Sequence, residues 1–577
     1  MAAPTLSSLF LTPQLASAAA SFPWSSLMPS PNLDYSECYN GFQCARLLLP
    51  MDWNNSQGAN VSIAIIKLPA VVPEDDPTFG GAIFSNPGGP GGSGTEFLLE
   101  AGRFLQKVID IPGSKHYEYI SFDPRGVGRS EPSVDCYPGN DLARHATNLE
   151  EIASGGFALN PASLVYAHYK SKAYGRRCLR ENTLHLPFIS TTSVARDMLA
   201  MVDEVAQLRQ QQVGENNQKE LPRLQYYGIS YGTILGNYFA SMFPERVGRI
   251  LLDSVADADD YSNGPGWLTN TQDADEMINI FFKSCFKAGP QVCPLCRRGD
   301  KGENHIRRRT LSWIKARDED PIIAVRSGDS TDVLIRSKDI RTLLLFLLRV
   351  AHSSFPVAAR LLDTAMQGNP RPLVDALVTA YDLSDLRKEC SIANGTTVTP
   401  SLDAYHAVMC ADGDDVTLKD STFWKDYMKL QMSISPLFGE FWAEARLGCA
   451  GWAARPKWSY KGPFRTPTAS KDPSAPEPDR PAAPLLFLSN EWDPVTPLRN
   501  ARSMASQHPG AGVVVARSMG HTAFDVGNQC LKNAISVYFK KGVVPKEEVY
   551  CNSTKDLWSN TVADDRQLQK WMQTRTR

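Results

Sequence analysis

The stretch that decides the fold runs from residue 224 to residue 243 and reads LQYYGISYGTILGNYFASMF. It opens with an apolar run typical of a buried strand, passes through Gly-x-Ser-x-Gly at 228–232, and continues as an apolar helical pattern. In a strand–turn–helix of this kind the two glycines let strand and helix pack closely around a strained turn, which lifts the serine hydroxyl above the sheet. The stretch therefore predicts that Ser230 is a nucleophile. The alternative is a glycine-rich turn with an idle serine.

Apolar runs on both sides of this stretch end in turns that contain glycine or aspartate. They lie at 61–69, 81–89, 117–126, 249–255, 483–493 and 511–521. Most are continuous rather than alternating, as in strands of a parallel sheet that is covered on both faces. Helical patterns lie between them, for example at 192–209 and 231–243. The sequence thus predicts an α/β fold, a mostly parallel sheet with helices on both faces.

This alternation stops between about 257 and 480, where helical periodicity dominates, for example at 342–352 and 356–367. A proline-rich segment at 472–484 then leads back to an apolar run. We interpret the region as a large helical cap, or lid, over the carboxyl edge of the sheet, where α/β enzymes select substrates. The predicted units are a leader at 1–22, a core in two parts at 35–256 and 481–577, and the cap at 257–480.

A serine hydroxyl becomes a good nucleophile only when a histidine takes its proton, and a carboxylate must orient that histidine. Asp493 follows the run at 483–493, and His521 follows the next run. The two residues are 28 positions apart, which leaves room for one helix between two strands. Of the histidines after Ser230, His521 alone is expected in a loop at a strand end. Glu491 is the rival for the acidic position.

A second group of glycines predicts where a developing oxyanion is held. The segment NPGGPGGSG at 86–94 follows an apolar run, and glycines let a backbone N–H approach a substrate carbonyl. We predict one donor at Gly89, with Gly88 as the alternative, and the other at Tyr231. A phosphate-binding loop is the competing interpretation, but neither of its usual glycine patterns is present.

Composition excludes several classes of function. The 577 residues carry a formal net charge of −2 and no basic cluster, which argues against nucleic acid as a partner. No apolar run approaches the roughly 18 residues that a membrane-spanning helix needs. A serine acyl-transfer mechanism requires no metal and no organic cofactor, so none is predicted.

The cysteines and the first residues favour a secretory route. Twelve cysteines are scattered through the chain, as in disulfide-bonded proteins of oxidising compartments. The start is apolar with an Ala-x-Ala run at 16–20, although it lacks the basic n-region of a signal peptide. Sequons for glycosylation begin at Asn54, Asn60, Asn394 and Asn552, about as many as chance provides. We predict a secreted, disulfide-bonded glycoprotein.

Taken together, NPGGPGGSG, FDPRGVGRS (122–130), GISYGTILGNYFASMFPERVGRILLDSV and EWDPVTP with GHTAF resemble the tripeptidyl aminopeptidase branch of the prolyl aminopeptidase-like α/β-hydrolases. CYNGFQCARLLLPMDW (38–53) extends the resemblance to nearly the whole chain after the first thirty residues. The resemblance implies a triad of Ser230, Asp493 and His521, and so favours Asp493 over Glu491. It also implies an oxyanion hole at Gly88-Gly89 and Tyr231.

The resemblance carries three further expectations. A loop containing Asp123, Arg125, Gly126, Gly128 and Ser130 should support the catalytic floor. Ser254 stands where the family usually has glycine, which we expect to affect packing more than chemistry. The implied disulfides are Cys38–Cys44, Cys136–Cys178, Cys285–Cys293, Cys410–Cys449 and Cys530–Cys551, with Cys296 and Cys390 left over as a sixth candidate pair. The Cys-x-x-Cys at 293–296 has no second ligand pair, so a metal site is not expected.

The resemblance implies a serine peptidase that releases short peptides or amino acids from free N-termini. The fold also hosts hydrolases of esters, lactones and amides, so a small natural product is the alternative substrate. A binding protein without catalysis is a third interpretation, which the intact triad opposes. An aminopeptidase needs a carboxylate for the substrate ammonium, and the candidates are Asp257, Asp259, Asp260, Asp273, Glu276 and Asp412. A carboxylate near Ser230 would favour the peptidase, and an apolar pocket the ester hydrolase.

Overall fold

Ten strands form one sheet in a computed structural model that describes residues 22–213, 221–325, 332–380, 401–523, 528–553 and 556–558. The strands are β1 (Ser36–Cys38), β2 (Phe42–Pro50), β3 (Asn60–Leu68), β4 (Phe79–Asn86), β5 (His116–Phe122), β6 (Leu224–Ile229), β7 (Val247–Asp253), β10 (Leu486–Trp492), β11 (Gly512–Met519) and β12 (Val549–Asn552). Their order is β1-β2-β3-β5-β4-β6-β7-β10-β11-β12. Every predicted apolar run overlaps one of these strands.

The sheet is parallel from β5 to β12, whereas β1, β2 and β3 add antiparallel strands at one side. Parallel strands end at the same edge, so the residues that follow β6, β7, β10 and β11 are neighbours in space. Sequence analysis did not predict β1, β2 or β12. β1 and β12 lie at the two edges of the sheet, where short strands carry little periodicity.

Helices cover both faces of the sheet. One face packs against α1 (Gly94–Ile109) and α16 (Gln529–Lys541), which share a hydrophobic cluster with β3 and β5. The other face packs against α4 (Thr191–Val213), α5 (Tyr231–Met242) and α15 (Leu498–Gln507). The α/β-hydrolase architecture predicted from the sequence is therefore confirmed.

Between β7 and β10 the described chain is mainly helical, with one antiparallel hairpin of β8 (Ile322–Val325) and β9 (Asp332–Ile335). The helices are α6 (Ala258–Ser262), α7 (Ala274–Ala288), α8 (Glu303–Ala316), α9 (Ser337–Leu348), α10 (Ala351–Met366), α11 (Arg371–Ala380), α12 (Ser401–Asp412), α13 (Ser421–Ile434) and α14 (Gly439–Leu447). α7, α9, α10 and α11 share a separate hydrophobic cluster. The division at 257 and 480 stays a prediction, and most of the leader lies outside the described residues.

Two helices that precede the nucleophile also reach this helical region. They are α2 (Asp141–Ala153) and α3 (Pro161–Glu181), both between β5 and β6. Gly175 of α3 packs so closely on the segment after α14 that an added Cβ would lie 2.1 Å from the Gly451 carbonyl oxygen. His168 also contacts the Trp424 ring of α13. Sequence analysis had placed this part of the chain with the core and had not assigned it helices.

The helical pattern at 342–352 falls on two helices and spans the break between them. α9 ends at Leu348 and α10 begins at Ala351, because Val350 (φ −124°, ψ 40°) leaves the helical region. A periodic sequence cannot reveal this break, since both helices share the same apolar stripe. The interruption leaves the Arg349 carbonyl free to accept a hydrogen bond from the His521 N–H.

All five disulfides implied by the family resemblance are present and thus confirmed: Cys38–Cys44, Cys136–Cys178, Cys285–Cys293, Cys410–Cys449 and Cys530–Cys551. Cys296 is buried and reduced, and its suggested partner Cys390 lies outside the described residues. Five disulfides fit an enzyme that acts in an oxidising, extracellular setting. Within the described ranges, every helix is too short or too polar to cross a membrane.

Candidate active site

Ser230 occupies a strained turn between β6 and α5, with φ 57° and ψ −124°. Backbone strain of this kind costs about 1–3 kcal/mol and persists only where neighbours enforce it. Here the flanking glycines permit the close approach. A Cβ on Gly228 would lie 2.4 Å from the Gly232 carbonyl oxygen, and one on Gly232 would lie 2.5 Å from the Asn86 carbonyl oxygen. The turn holds Ser230 at the wall of a pocket, where its residue surface is 8% exposed.

The glycine-rich loop after β4 passes directly beside this turn. Gly88 (φ 101°) and Gly89 (φ 114°) both adopt the left-handed region, and a Cβ on Gly88 would lie 2.8 Å from the Ser230 Cβ. The Gly88 N–H donates to the Asn86 Oδ1 at 2.9 Å. Among the residues that the structure describes, the N–H groups of Gly89 and Tyr231 have no acceptor. The geometry therefore favours Gly89 over Gly88 as the partner of Tyr231 in an oxyanion hole.

Asp493 and His521 form a buried acid–base pair after β10 and β11. The His521 Nδ1 lies 2.8 Å from Asp493 Oδ2, and both side chains are 0% exposed. Asp493 also accepts hydrogen bonds from the N–H groups of Val495 and Thr496 and from the Thr496 hydroxyl. This network places a proton on His521 Nδ1, which leaves Nε2 as the basic nitrogen. Asp493, and not the rival Glu491, is the carboxylate that the structure pairs with His521 Nδ1.

The loop that carries His521 is fixed by backbone hydrogen bonds on both sides of the histidine. The His521 N–H donates to the Arg349 carbonyl at 2.7 Å. The Thr522 N–H donates to the Ser254 hydroxyl at 2.7 Å, and the Ala523 N–H donates to the Asp253 carboxylate at 2.9 Å. Ser254 itself has φ 56°, which explains why the family favours glycine there. Its hydroxyl thus acts on the histidine loop, a role that the sequence did not reveal.

The loop at 122–130 supports the oxyanion loop from below, as the family resemblance implies. The Asp123 carboxylate accepts hydrogen bonds from the Ser93 hydroxyl and the Thr95 N–H at the start of α1, and from the Arg129 N–H. Gly128 is required because a Cβ would lie 2.1 Å from the Asp123 carboxylate. The remaining members take part in buried polar contacts: Arg125 pairs with Asp197, and the Ser130 hydroxyl donates to the Asp123 carbonyl.

Ser230, His521, Gly89 and Tyr231 all line one pocket. Six of the other lining residues are aromatic and come from the helical region: Tyr261, Trp267, Phe346, Tyr405, Phe441 and Trp442. Three further charged residues line it, namely Asp257, Asp260 and Arg349. Sequence analysis had named the two aspartates among six candidates, but had not named Arg349.

The other four candidate carboxylates do not line the pocket and are occupied elsewhere. Asp412 accepts hydrogen bonds from Thr191 and Tyr261, Asp273 pairs with Arg499, Asp259 contacts Gln507, and Glu276 contacts Asn279. Asp260 accepts hydrogen bonds from the N–H and the hydroxyl of Thr269. Burial raises the pKa of the Asp260 carboxyl group. Asp257 caps α6 through the N–H groups of residues 259 and 260. The pocket is therefore not apolar throughout, because Asp257 and Asp260 give its wall an acidic part.

Comparison with known proteins agrees with this architecture. Residues 82–279 match the alpha/beta hydrolase fold family, and residues 435–551 match the family described as TAP-like protein. Tripeptidyl aminopeptidase of Streptomyces lividans is 25% identical over 514 residues, 88% of this chain and 83% of that protein. Serine protease Hip1 of Mycobacterium tuberculosis is 25% identical over 89% of this chain and 87% of its own length. Carboxylesterase B of the same species is 25% identical over 88% of this chain and 86% of its own length. The predicted resemblance is confirmed.

Proposed function

We propose that this α/β-hydrolase, a relative of the tripeptidyl aminopeptidases, is a serine exopeptidase that cleaves short peptides from free N-termini. The observation that carries the proposal is the pocket shared by a strained serine, a histidine oriented by a buried aspartate, and two backbone N–H groups without acceptors. These are the parts that acyl transfer through a serine requires.

In the proposed mechanism, His521 Nε2 takes the Ser230 proton while the Ser230 oxygen attacks the carbonyl carbon of the scissile bond. The carbonyl oxygen becomes an oxyanion that receives hydrogen bonds from the Gly89 and Tyr231 N–H groups. Asp493 keeps the Nδ1 proton in place and stabilises the imidazolium that forms. The imidazolium then gives its proton to the leaving amine, and the acyl-enzyme remains. A water molecule, deprotonated by the same histidine, releases the acyl group.

The preference for a free N-terminus rests on the acidic wall of the pocket. Neither Asp257 nor Asp260 has a basic partner within ion-pair distance among the described residues. Carboxylates that face a pocket and lack a counter-charge can pair with an ammonium group in a charge-assisted hydrogen bond. An ester hydrolase for an uncharged natural product would have no use for such a wall, so the peptidase is favoured.

Purified protein should be tested on a free-amine tripeptide anilide, its N-acetylated twin and a short p-nitrophenyl ester. Ser230→Ala controls for background, and Asp260→Asn isolates the amine preference. Cleavage of the free-amine peptide and not of its twin, with loss of that preference in Asp260→Asn, is the expected result. Turnover of the ester alone would instead support the small-molecule hydrolase, an activity in line with the carboxylesterase relative. Activity retained in Ser230→Ala would overturn the mechanism.

We also propose that the protein enters the secretory pathway, with residues 1–22 as a cleaved leader. The disulfides support this, because they persist mainly in oxidising compartments. Asn54, Asn60 and Asn552 are exposed and accessible to glycosylation, whereas Asn394 lies outside the described residues. Expression in a eukaryotic host should yield secreted protein that begins near residue 23 and migrates faster after glycosidase treatment. Intracellular protein with an intact N-terminus would contradict the proposal.

A further inference from the structure

Arg349 is a buried cation in the wall of the pocket. It lies in the turn between α9 and α10, directly before Val350, where the chain leaves the helical conformation. Its residue surface is only 5% exposed, yet it lines the same pocket as Ser230 and His521. Apart from His521, it is the only basic residue among those that form this pocket in the described part of the chain.

Among the residues that the structure describes, the Arg349 guanidinium has no counter-ion within ion-pair distance. It makes no hydrogen bond and no ion pair with any residue that the structure describes, and its Nε atom is fully buried. The guanidinium lies over the Phe346 ring, whose centroid is 5.1 Å away. Burial lowers the pKa of Arg349 to about 10, so the group still carries its charge at neutral pH. A buried charge without a partner costs several kcal/mol, which indicates that a ligand supplies the missing anion.

The neighbouring charged and titratable groups do not fill this role. Asp493 interacts with Arg349 only at a distance, since its oxygens already receive two N–H groups, a hydroxyl and the His521 imidazole. Tyr405 is also close, but burial raises the pKa of its phenol, which therefore stays neutral. Within the described pocket, the position opposite the guanidinium is thus open to a ligand.

Arg349 lies next to the loop that carries His521, and therefore close to where the scissile bond would bind. Its carbonyl accepts the His521 N–H at 2.7 Å, so the arginine is attached directly to the histidine loop. His521 delivers its proton to the leaving group, and that group must therefore lie near this histidine. An anionic group that reached Arg349 would consequently flank the bond to be cut.

We propose that Arg349 binds a carboxylate of the substrate beside the scissile bond, so that the enzyme selects acidic or very short peptides. This inference deepens the proposed function and rests on it. The planar guanidinium matches a carboxylate through two parallel hydrogen bonds, which a lysine cannot reproduce. The carboxylate comes either from the side chain of the residue that supplies the carbonyl, or from the free C-terminus of a single leaving residue. Asp257 and Asp260 would hold the substrate ammonium in the same pocket.

The experiment measures kcat/KM for two matched pairs of free-amine peptides. The first pair carries glutamate or glutamine before a neutral anilide leaving group. The second pair ends one residue after the scissile bond, as a free carboxylate or as its amide. We expect the wild-type enzyme to prefer the carboxylate member of one pair by about 10- to 100-fold, the range given by a charged hydrogen bond. Which pair shows the preference identifies the source of the carboxylate.

Arg349→Met should abolish this preference by slowing the carboxylate substrate and sparing its amide twin, and Arg349→Lys should restore part of it. Arg298→Met, at an exposed arginine remote from the pocket, is the matched control and should change nothing. Equal rates within both wild-type pairs would overturn the inference. An Arg349→Met enzyme that loses both members equally would also overturn it, since that result indicates a structural role.

Binding of the same peptides to the Ser230→Ala protein, measured by calorimetry, separates this inference from the proposed function. Tighter binding of one carboxylate member, lost in Ser230→Ala/Arg349→Met, would support the inference even if the wild-type enzyme cleaved none of the peptides. Absence of cleavage would then count against the exopeptidase alone. Equal binding of both members of each pair would refute the role of Arg349 whatever the activity.

Discussion

Replacing Ser254 with alanine removes one hydrogen-bond acceptor from the loop that holds His521. The Ser254 hydroxyl accepts the Thr522 N–H at 2.7 Å, and Ser254 is fully buried. A buried N–H left without an acceptor costs about 1–3 kcal/mol. We therefore expect Ser254→Ala to lower the free energy of unfolding by about 1–3 kcal/mol. We also expect kcat to fall roughly tenfold or more, because a small displacement of the general base is costly.

Ser254→Gly is the informative partner variant. It loses the same acceptor, but it also relieves the left-handed backbone at φ 56°, which costs a non-glycine residue about 1–2 kcal/mol. Glycine should therefore be more stable than alanine by about 1 kcal/mol, while both variants lose activity similarly. Chemical denaturation followed by tryptophan fluorescence, together with kcat on the free-amine anilide, measures both quantities. Parental stability and kcat in Ser254→Ala, or a glycine variant less stable than the alanine one, would refute this reasoning.

Three further predictions test other parts of the site and its support. Asp493→Asn should lower kcat by about four orders of magnitude with little change in KM, because an amide cannot hold the Nδ1 proton of His521 in place; a loss below tenfold would contradict the orienting role. Gly232→Ala should lower the free energy of unfolding by about 1–3 kcal/mol or prevent folding, because the new Cβ would lie 2.5 Å from a backbone oxygen. Gly299→Ala is the control, since its Cβ would meet nothing within 4 Å, and it should be neutral in the same denaturation assay. Burial lowers the pKa of His508 to about 4, so this histidine is protonated near pH 6.5 in the unfolded chain but only near pH 4 in the folded protein. The folded protein therefore loses roughly 3 kcal/mol of stability as the pH falls from about 6.5 to about 4. His508→Gln should flatten the pH dependence of the unfolding free energy in this range.

The features that the sequence predicted well are those that depend on short-range patterns. The Gly-x-Ser-x-Gly turn at Ser230, the strand ends before Asp493 and His521, and the glycine loop at Gly89 each combine an apolar run with a defined turn. Parallel strands bring such turns to one edge, so their proximity follows from the fold. The disulfides were predicted from the family resemblance together with the proximity of the paired cysteines in the sequence.

The features that the sequence did not predict depend on tertiary contacts between distant segments. The break between α9 and α10 has no local signal, and it is stabilised partly by the bond between the Arg349 carbonyl and the His521 N–H. The sequence therefore did not single out Arg349 as a pocket residue. The role of Ser254 depends on a hydrogen bond across 268 residues of sequence. The six candidate carboxylates for the substrate ammonium could be narrowed to two only from the residues that line the pocket.

The most direct test of the central claim is covalent labelling of the protein by a fluorophosphonate, followed by mass spectrometry of the proteolysed product. The triad predicts one equivalent of label, located on Ser230, together with complete loss of hydrolysis. Labelling should be absent in Ser230→Ala and strongly slowed in His521→Ala, since the histidine must take the serine proton. Stoichiometric labelling at another residue, or hydrolysis that persists in fully labelled protein, would contradict the account.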